Sequence, residues 1–392
     1  MKIVIAPDSF KESLSAYEAC QAIERGFKSI LPNAIYQKFP MADGGEGTVE
    51  SLVSATGGVI IETYVTGPLG EKVLAFYGML GDGKTAVIEM AASSGLHLVP
   101  VDKRNPMCTT TRGLGELMMA ALDQGAIRII IGLGGSSTND GGAGMIQALG
   151  GRLLSKEGND ISPGGGGLSE LVSFDLSTLE PRLKDVKIEV ACDVDNPLTG
   201  QNGSSAVYGP QKGATSEMVV ELDENLTYFA NVYETYLNKT FRNVPGAGAA
   251  GGLGAGLMAF LSAELKSGVE IVLETLRFDD HLKDADLVIT GEGRIDAQTI
   301  NGKTPIGVAK AAKKYGIPVI ALCGGYTEDS KVVHGHGIDG LFTIVPGVVT
   351  LQKAMTNTAF YMEQTARNIA TIIQLGAQVR NAETTRDLMI EW

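Results

Sequence analysis

Three consecutive isoleucines run into a loop dense in glycine and small polar residues over Ile129–Gly144, IIIGLGGSSTNDGGAG. Gly132, Gly134, Gly135, Gly141 and Gly142 allow left-handed backbone and close approach of a ligand, and Ser136, Ser137, Thr138 and Asn139 add short hydrogen-bonding side chains. Such a loop suits an anion, and a helix starting near Gly142 adds unpaired N–H groups and the positive end of its dipole. Charged residues recur in three other short stretches: Ser9 and Lys11 in PDSFKES, Asp43 and Glu46 in MADGGEGT, and Glu292, Arg294 and Asp296 in VITGEGRID. A fourth, CDVDNPLTG, brings Asp193, Asp195 and Asn196. An arginine can clamp a carboxylate or phosphate with two parallel bonds, and an aspartate can accept a hydroxyl proton or hold a hard cation such as magnesium.

Each of these stretches follows a short apolar run that reads as a strand: Lys2–Ala6, Ile35–Phe39, Ile129–Ile131, Lys187–Ala191 and Asp286–Thr290. The carboxyl ends of strands in open α/β sheets are where ligands bind. Ser15 and Glu18 form a capping box for a first helix that ends before Pro32. After Ile60 the rhythm changes to antiparallel strands turning at Gly81–Gly83. Parallel βα rhythm returns with a helix from Thr304, strands at Ile317–Leu322 and Leu341–Val345, and a long helix after Thr350. Two βα units at the start and three at the end predict one doubly wound parallel sheet of residues 1–60 and 285–392. A large mixed α/β domain, 61–284, is inserted in it, with a cleft at the junction.

Composition narrows the function classes. A chain of 392 residues with 44% hydrophobic and 20% charged residues is globular, and a net charge of −13 argues against a nucleic-acid or anionic-membrane surface. The four cysteines have no CxxC spacing, as expected of reduced cytoplasmic thiols, and no signal peptide is evident in MKIVIAPDSF. Two nucleotide motifs fail on context. GAGAAG at Gly246–Gly251 follows a turn rather than a strand, and AQTINGKT at Ala297–Thr304 is detached from its strand, so Thr304 reads as an N-cap with Pro305 at the first helical position.

Taken together, PDSFKESLSA, ADGGEGT, GLGGSSTNDGGAG, CDVDNPLTG, GAGAAGGLG and TGEGRID resemble the type I glycerate kinase family over nearly the whole chain. The resemblance implies transfer of the ATP γ-phosphoryl group to a hydroxyl of D-glycerate with Mg²⁺, on a two-domain α/β fold unrelated to P-loop kinases, with the 2-position favoured as acceptor. On that reading Lys11 and Arg294 hold the substrate carboxylate or the γ-phosphate. Asp193 and Asp296 share metal binding and acceptance of the hydroxyl proton, Ser9, Asp43 and Glu46 serve the substrate or a metal-bound water, and Gly134, Gly135, Ser136, Ser137, Thr138, Asn139 and Gly141 cradle the nucleotide. The expected partners are glycerate and ATP, with no nucleic acid and no membrane, and a homo-oligomer is compatible with the sequence. Two other classes stay open from residues alone. A dinucleotide-dependent oxidoreductase would need a glycine fingerprint directly after a strand, and a non-catalytic binder of polyhydroxy acids would need no metal carboxylates.

Overall fold

The computed structural model describes residues 1–390, with side chains to residue 380. Among the described residues the strands are β1 (Lys2–Pro7), β2 (Ile35–Lys38), β3 (Val59–Thr66), β4 (Lys72–Met79), β5 (Thr85–Glu89), β6 (Arg128–Gly132), β7 (Arg152–Leu154), β8 (Ser173–Asp175), β9 (Lys187–Ala191), β10 (Glu264–Lys266), β11 (Leu287–Ile295), β12 (Val319–Tyr326) and β13 (Gly340–Thr343). The chain divides into two units, one formed by Met1–Ala42 and the residues from Val272 onward, the other by Asp43–Ile271. Glu391 and Trp392, at the end of the domain expected from sequence, lie outside the described residues.

The first unit is built on a five-stranded parallel sheet in the order β13-β12-β11-β1-β2. Covered on both faces, its central strands are apolar throughout: Ile3, Val4, Ile5, Val288, Ile289 and Val319 are fully buried. The helix Ala16–Lys28 starts at the expected capping box, with Glu18 N–H donating to Ser15 Oγ at 3.2 Å and Ser15 N–H to Glu18 Oε2 at 3.0 Å. Its buried stripe, Ala19, Cys20, Ala22, Ile23 and Phe27, has helical spacing and packs with Ile3, Ile5, Met362 and Ala366. β11 runs on to Ile295, beyond the Thr290 expected from sequence, because Gly291–Ile295 continue to pair with Leu322–Tyr326. A Cβ at Gly291 would stand 2.1 Å from the Leu322 carbonyl, so this close pairing needs glycine. Glu292 and Arg294 are therefore on a strand. The helix Thr304–Lys313 is N-capped by Lys303, not Thr304, since the Thr304 hydroxyl instead donates to Asp8 Oδ2. The helix expected after Thr350 is broken into Leu351–Thr356 and Thr358–Ile390.

The second unit carries a six-stranded mixed sheet, β10-β9-β6-β5-β4-β3, antiparallel through β3, β4 and β5 and parallel from β5 to β10, with a separate β7–β8 pair. Ile88, Ile129, Ile131 and Val190 form its core with Leu114, Leu117, Met145, Phe229 and Tyr233. The division between units falls at residues 42/43 and 271/272 rather than 60 and 284, for a packing reason. Val49 and Val53 of the helix Thr48–Thr56 fill the space over Gly78 of β4, which ties that helix to the second unit. Phe278 stands edge-on to Phe39 at 5.2 Å and so belongs to the first. No helix of the described residues is long and apolar enough to cross a membrane, and all four cysteines are unpaired thiols.

Candidate active site

In the second unit, parallel pairing puts Glu89, Gly132 and Ala191 in one row at the carboxyl ends of β5, β6 and β9. The glycine-rich loop leaves from the middle of that row. Gly135, Gly141 and Gly142 all have positive φ, between 60° and 85°. The loop is held from several sides: Leu96 N–H donates to the Gly135 carbonyl at 2.8 Å, Ser137 Oγ to the Ser94 carbonyl at 2.9 Å, and Thr109 Oγ1 to the Ser137 carbonyl at 2.8 Å. Gly134 and Gly135 are exposed while Ser136, Ser137, Thr138 and Asn139 are buried. Ser137 is thus a structural hydroxyl rather than one turned to a ligand.

The helix after the loop, Ala143–Ala148, does not offer the free donors expected of it. Asp140, fully buried, accepts from Gly142 N–H at 3.1 Å, Gly144 N–H at 3.3 Å, and the N–H and hydroxyl of Thr111 at 2.8 and 2.9 Å. Met145 N–H is taken by Thr111 Oγ1 at 3.0 Å. Burial pushes the Asp140 carboxyl above the usual carboxylate range despite these donors. What the loop keeps available is its tip, where the N–H groups of Gly134, Gly135 and Ser136 have no hydrogen-bond partner among the described residues. The buried Thr138 Oγ1, Asn139 Oδ1 and Ser204 Oγ also have no hydrogen-bond partner among the described residues, a condition that a ligand or water would relieve.

The Gly246–Gly251 run supports this loop mechanically. Gly141 N–H donates to the Gly251 carbonyl at 3.0 Å, and a Cβ at Gly251 would stand 2.0 Å from the Thr138 carbonyl. Its glycines permit backbone-to-backbone packing, which explains a nucleotide-like motif in the wrong context.

Asp43 and Asp193 are brought together in this unit. Gly268 N–H donates to Asp193 Oδ1 at 3.1 Å, and Asp43 Oδ1 accepts from Gly45 N–H at 3.0 Å. Asp193 reaches solvent, yet protein crowds its carboxylate; that desolvation, with the neighbouring Asp43 charge, pushes it up to about 6. Both side chains offer carboxylate oxygen, the donor type that suits magnesium. Glu89 is buried and accepts from Val49 N–H at 2.9 Å; burial foremost, then the charges of Glu50 and Glu46, push it up to about 7.

The first unit gathers a different set at the ends of β1 and β11. Asp8 accepts from Ser9 N–H at 2.6 Å as well as from Thr304. The Lys11 loop is closed by Phe10 N–H to the Leu14 carbonyl at 2.8 Å, and Lys11 N lies 3.7 Å from where a Cβ of Gly293 would be. Lys11 itself is exposed, with no ion-pair partner among the described residues. Arg294 pairs with Asp296 at 3.4 Å, its own side chain 70% exposed. Asp296 also caps the turn Ala297–Ile300 through Gln298 N–H at 3.0 Å, so each of its two oxygens has a partner within the first unit. The expected metal pair is not brought together within either unit: Asp193 belongs to the second and Asp296 to the first.

Sequence reasoning missed Asp8, Glu89, Asp140 and Lys212. The Lys212 ammonium is buried against the loop, donating to Ser136 Oγ at 2.8 Å and to the Thr138 carbonyl at 2.7 Å. Asp8 and Asp140 lie inside motifs and could have been found there; Lys212 carries no local signal.

Comparison with known proteins places the chain in a family. The family model described as the glycerate kinase family matches residues 3–374. The glycerate kinase of Bacillus subtilis (strain 168) is 67% identical over 375 residues, covering 96% of this chain and 98% of the relative. The glycerate 2-kinase of Escherichia coli (strain K12) is 58% identical, covering 97% of this chain and all of the relative, 100%. The crystal structure of a protein provisionally described as glycerate kinase 2 from Salmonella typhimurium LT2 superposes with a TM-score of 0.90 at 55% identity, covering 96% of this chain and 99% of that one. The chain therefore belongs to the glycerate kinase family and is a kinase acting on an alcohol group.

Proposed function

We propose that this chain transfers the γ-phosphoryl group of ATP to D-glycerate and that the product is 2-phosphoglycerate. The observation that carries the reading is the Gly134–Ser136 tip: consecutive backbone N–H groups without internal partners, next to a buried ammonium, form a nest for phosphate oxygens. In this role Gly134, Gly135, Ser136 and the Thr138 hydroxyl bind the nucleotide phosphates, while Ser137, Asn139 and Gly141 keep the loop in shape. Lys11 and Arg294 bind the glycerate carboxylate, with Ser9 beside them and Asp296 orienting Arg294. Asp43 and Asp193 would hold Mg²⁺, which supplies charge neutralisation at the phosphates, and Glu46 would bond a metal water or a substrate hydroxyl. Phosphoryl transfer needs little covalent assistance, so positioning and cationic charge account for most of the rate. The unpaired thiols fit a cytoplasmic site of action.

The acceptor is the C2 hydroxyl, the position in the name of the Escherichia coli relative. Attack from C2 brings the substrate carboxylate close to the γ-phosphate, and a cation such as Lys11 or Arg294 offsets a repulsion of about 1 to 4 kcal/mol. Coupling the product to enolase without phosphoglycerate mutase tests this: immediate phosphoenolpyruvate formation is expected, and dependence on the mutase would overturn the assignment.

A further inference from the structure

We propose that Lys212, which lies in no motif, is the positioning residue of the nucleotide loop: from beneath, its ammonium holds Ser136 and Thr138 so that the Gly134–Ser136 N–H groups converge on phosphate, and it supplies the positive charge there. The inference rests on the reading of that loop as the nucleotide site.

Lys212 is 1% exposed and lies in the short turn Pro210–Lys212. An ammonium has three donors, and two are used, on Ser136 Oγ and the Thr138 carbonyl. Lysine is almost never fully buried without a charged partner. The charge facing it is Asp140, whose oxygens already accept from Thr111, Gly142 and Gly144. Burial accordingly pushes the ammonium down to about 7, with Asp140 only partly opposing. A buried cation short of an anion, beside a row of unpaired N–H groups and the Thr138 and Ser204 hydroxyls, which have no partner among the described residues, is completed by an incoming phosphate. Lys212 and Asp140 also divide the loop between them. The lysine fixes its first half and the aspartate its second, the helix donors being consumed by Asp140 and Thr111.

The test measures ADP affinity by calorimetry on the whole protein, together with KM for ATP and for glycerate, in Lys212→Met and Ser136→Ala. Lys212→Met is expected to weaken ADP and raise KM for ATP by about tenfold or more, the scale of a lost charge-assisted contact, with KM for glycerate within about twofold. Ser136→Ala removes one of the two acceptors and is expected to shift the same parameters by about threefold. A folded Lys212→Met with unchanged ADP affinity, or one whose only losses are in kcat and thermal stability, overturns the proposal. If Lys212→Met does not fold, Ser136→Ala decides, and unchanged ADP affinity there has the same force. A wild-type protein that binds ADP without phosphorylating glycerate would sink the proposed reaction instead, leaving the ADP measurements to judge Lys212.

Discussion

The carboxyl edges of the two sheets are built in opposite ways. In the second unit the edge is built from backbone: Gly132 lies so close to the Gly44 carbonyl that a Cβ would stand 2.2 Å from it, and Ser137, Asp140 and Lys212 spend their polar atoms inside the protein. In the first unit the edge is built from long side chains, with Lys11 and Arg294 standing out into solvent. The difference teaches what each edge can hold. A phosphate chain is recognised by a fixed array of N–H groups, which tolerates little displacement. A small carboxylate can be captured by flexible cations that close on it.

The largest effect is expected at the exposed carboxylates of the second unit, where Asp193 stands with Asp43. Asp193→Asn should lower kcat on the order of a hundredfold, the scale of a lost preorganised electrostatic contact. EDTA should abolish activity and Mg²⁺ restore it, with the melting temperature unmoved. Retained turnover in EDTA would remove the metal role of Asp43 and Asp193.

On the side-chain edge, Lys11→Ala and Arg294→Ala should each cost about tenfold in kcat/KM, felt mostly as a higher KM for glycerate, from a contact of about 1.5 to 3 kcal/mol. Near wild-type kinetics in both would take them out of the site. Two glycines sharpen the contrast at smaller scale. Gly132→Ala should destabilise by about 2 kcal/mol through overpacking against Gly44, whereas Gly325→Ala in β12, with open space around its Cβ, should stay within about 0.5 kcal/mol. Equal melting shifts in the two variants would contradict the difference in packing at these two positions.

The smallest effect is a pH dependence. Glu89 sits at about 7 instead of its ordinary 4.5, so the folded state favours its protonated form. That contribution is whole below about pH 4.5 and is lost as pH rises through 7. Glu89→Gln, whose carbonyl can still accept from Val49 N–H, should therefore be the more stable protein at pH 8 by on the order of 1 kcal/mol, with the gain fading toward pH 4.5. A gain independent of pH would assign it to packing instead.

Much of the scaffold was legible because it is written in local periodicity. Lys187–Ala191 alternates and carries β-branched residues, Ser15 and Glu18 announce a helix start, and the five parallel strands follow from counting βα units. The extension of β11 was not legible, since its glycines signal a turn unless a neighbouring strand is known to approach. The site was readable where residues share a loop, as with Ser9 and Lys11 or Arg294 and Asp296. Lys212 was invisible because 76 positions separate it from Ser136 and only the fold closes that gap. The free helix donors expected after Gly142 failed for a related reason: their competitor, Asp140, stands in the motif itself, but its inward rotamer is set by Thr111 from another helix end.

On the proposed reading, nucleotide phosphates lie on the second unit's loop while the first unit's cations take glycerate. A crystal structure of the protein with a non-hydrolysable ATP analogue tests it most directly. Phosphate oxygens are expected within hydrogen-bond distance of the Gly134, Gly135 and Ser136 N–H groups, with Lys212 still bonded to Ser136 and Thr138. Phosphates bound instead on Lys11 and Arg294, with the Gly134–Ser136 tip untouched, would contradict it.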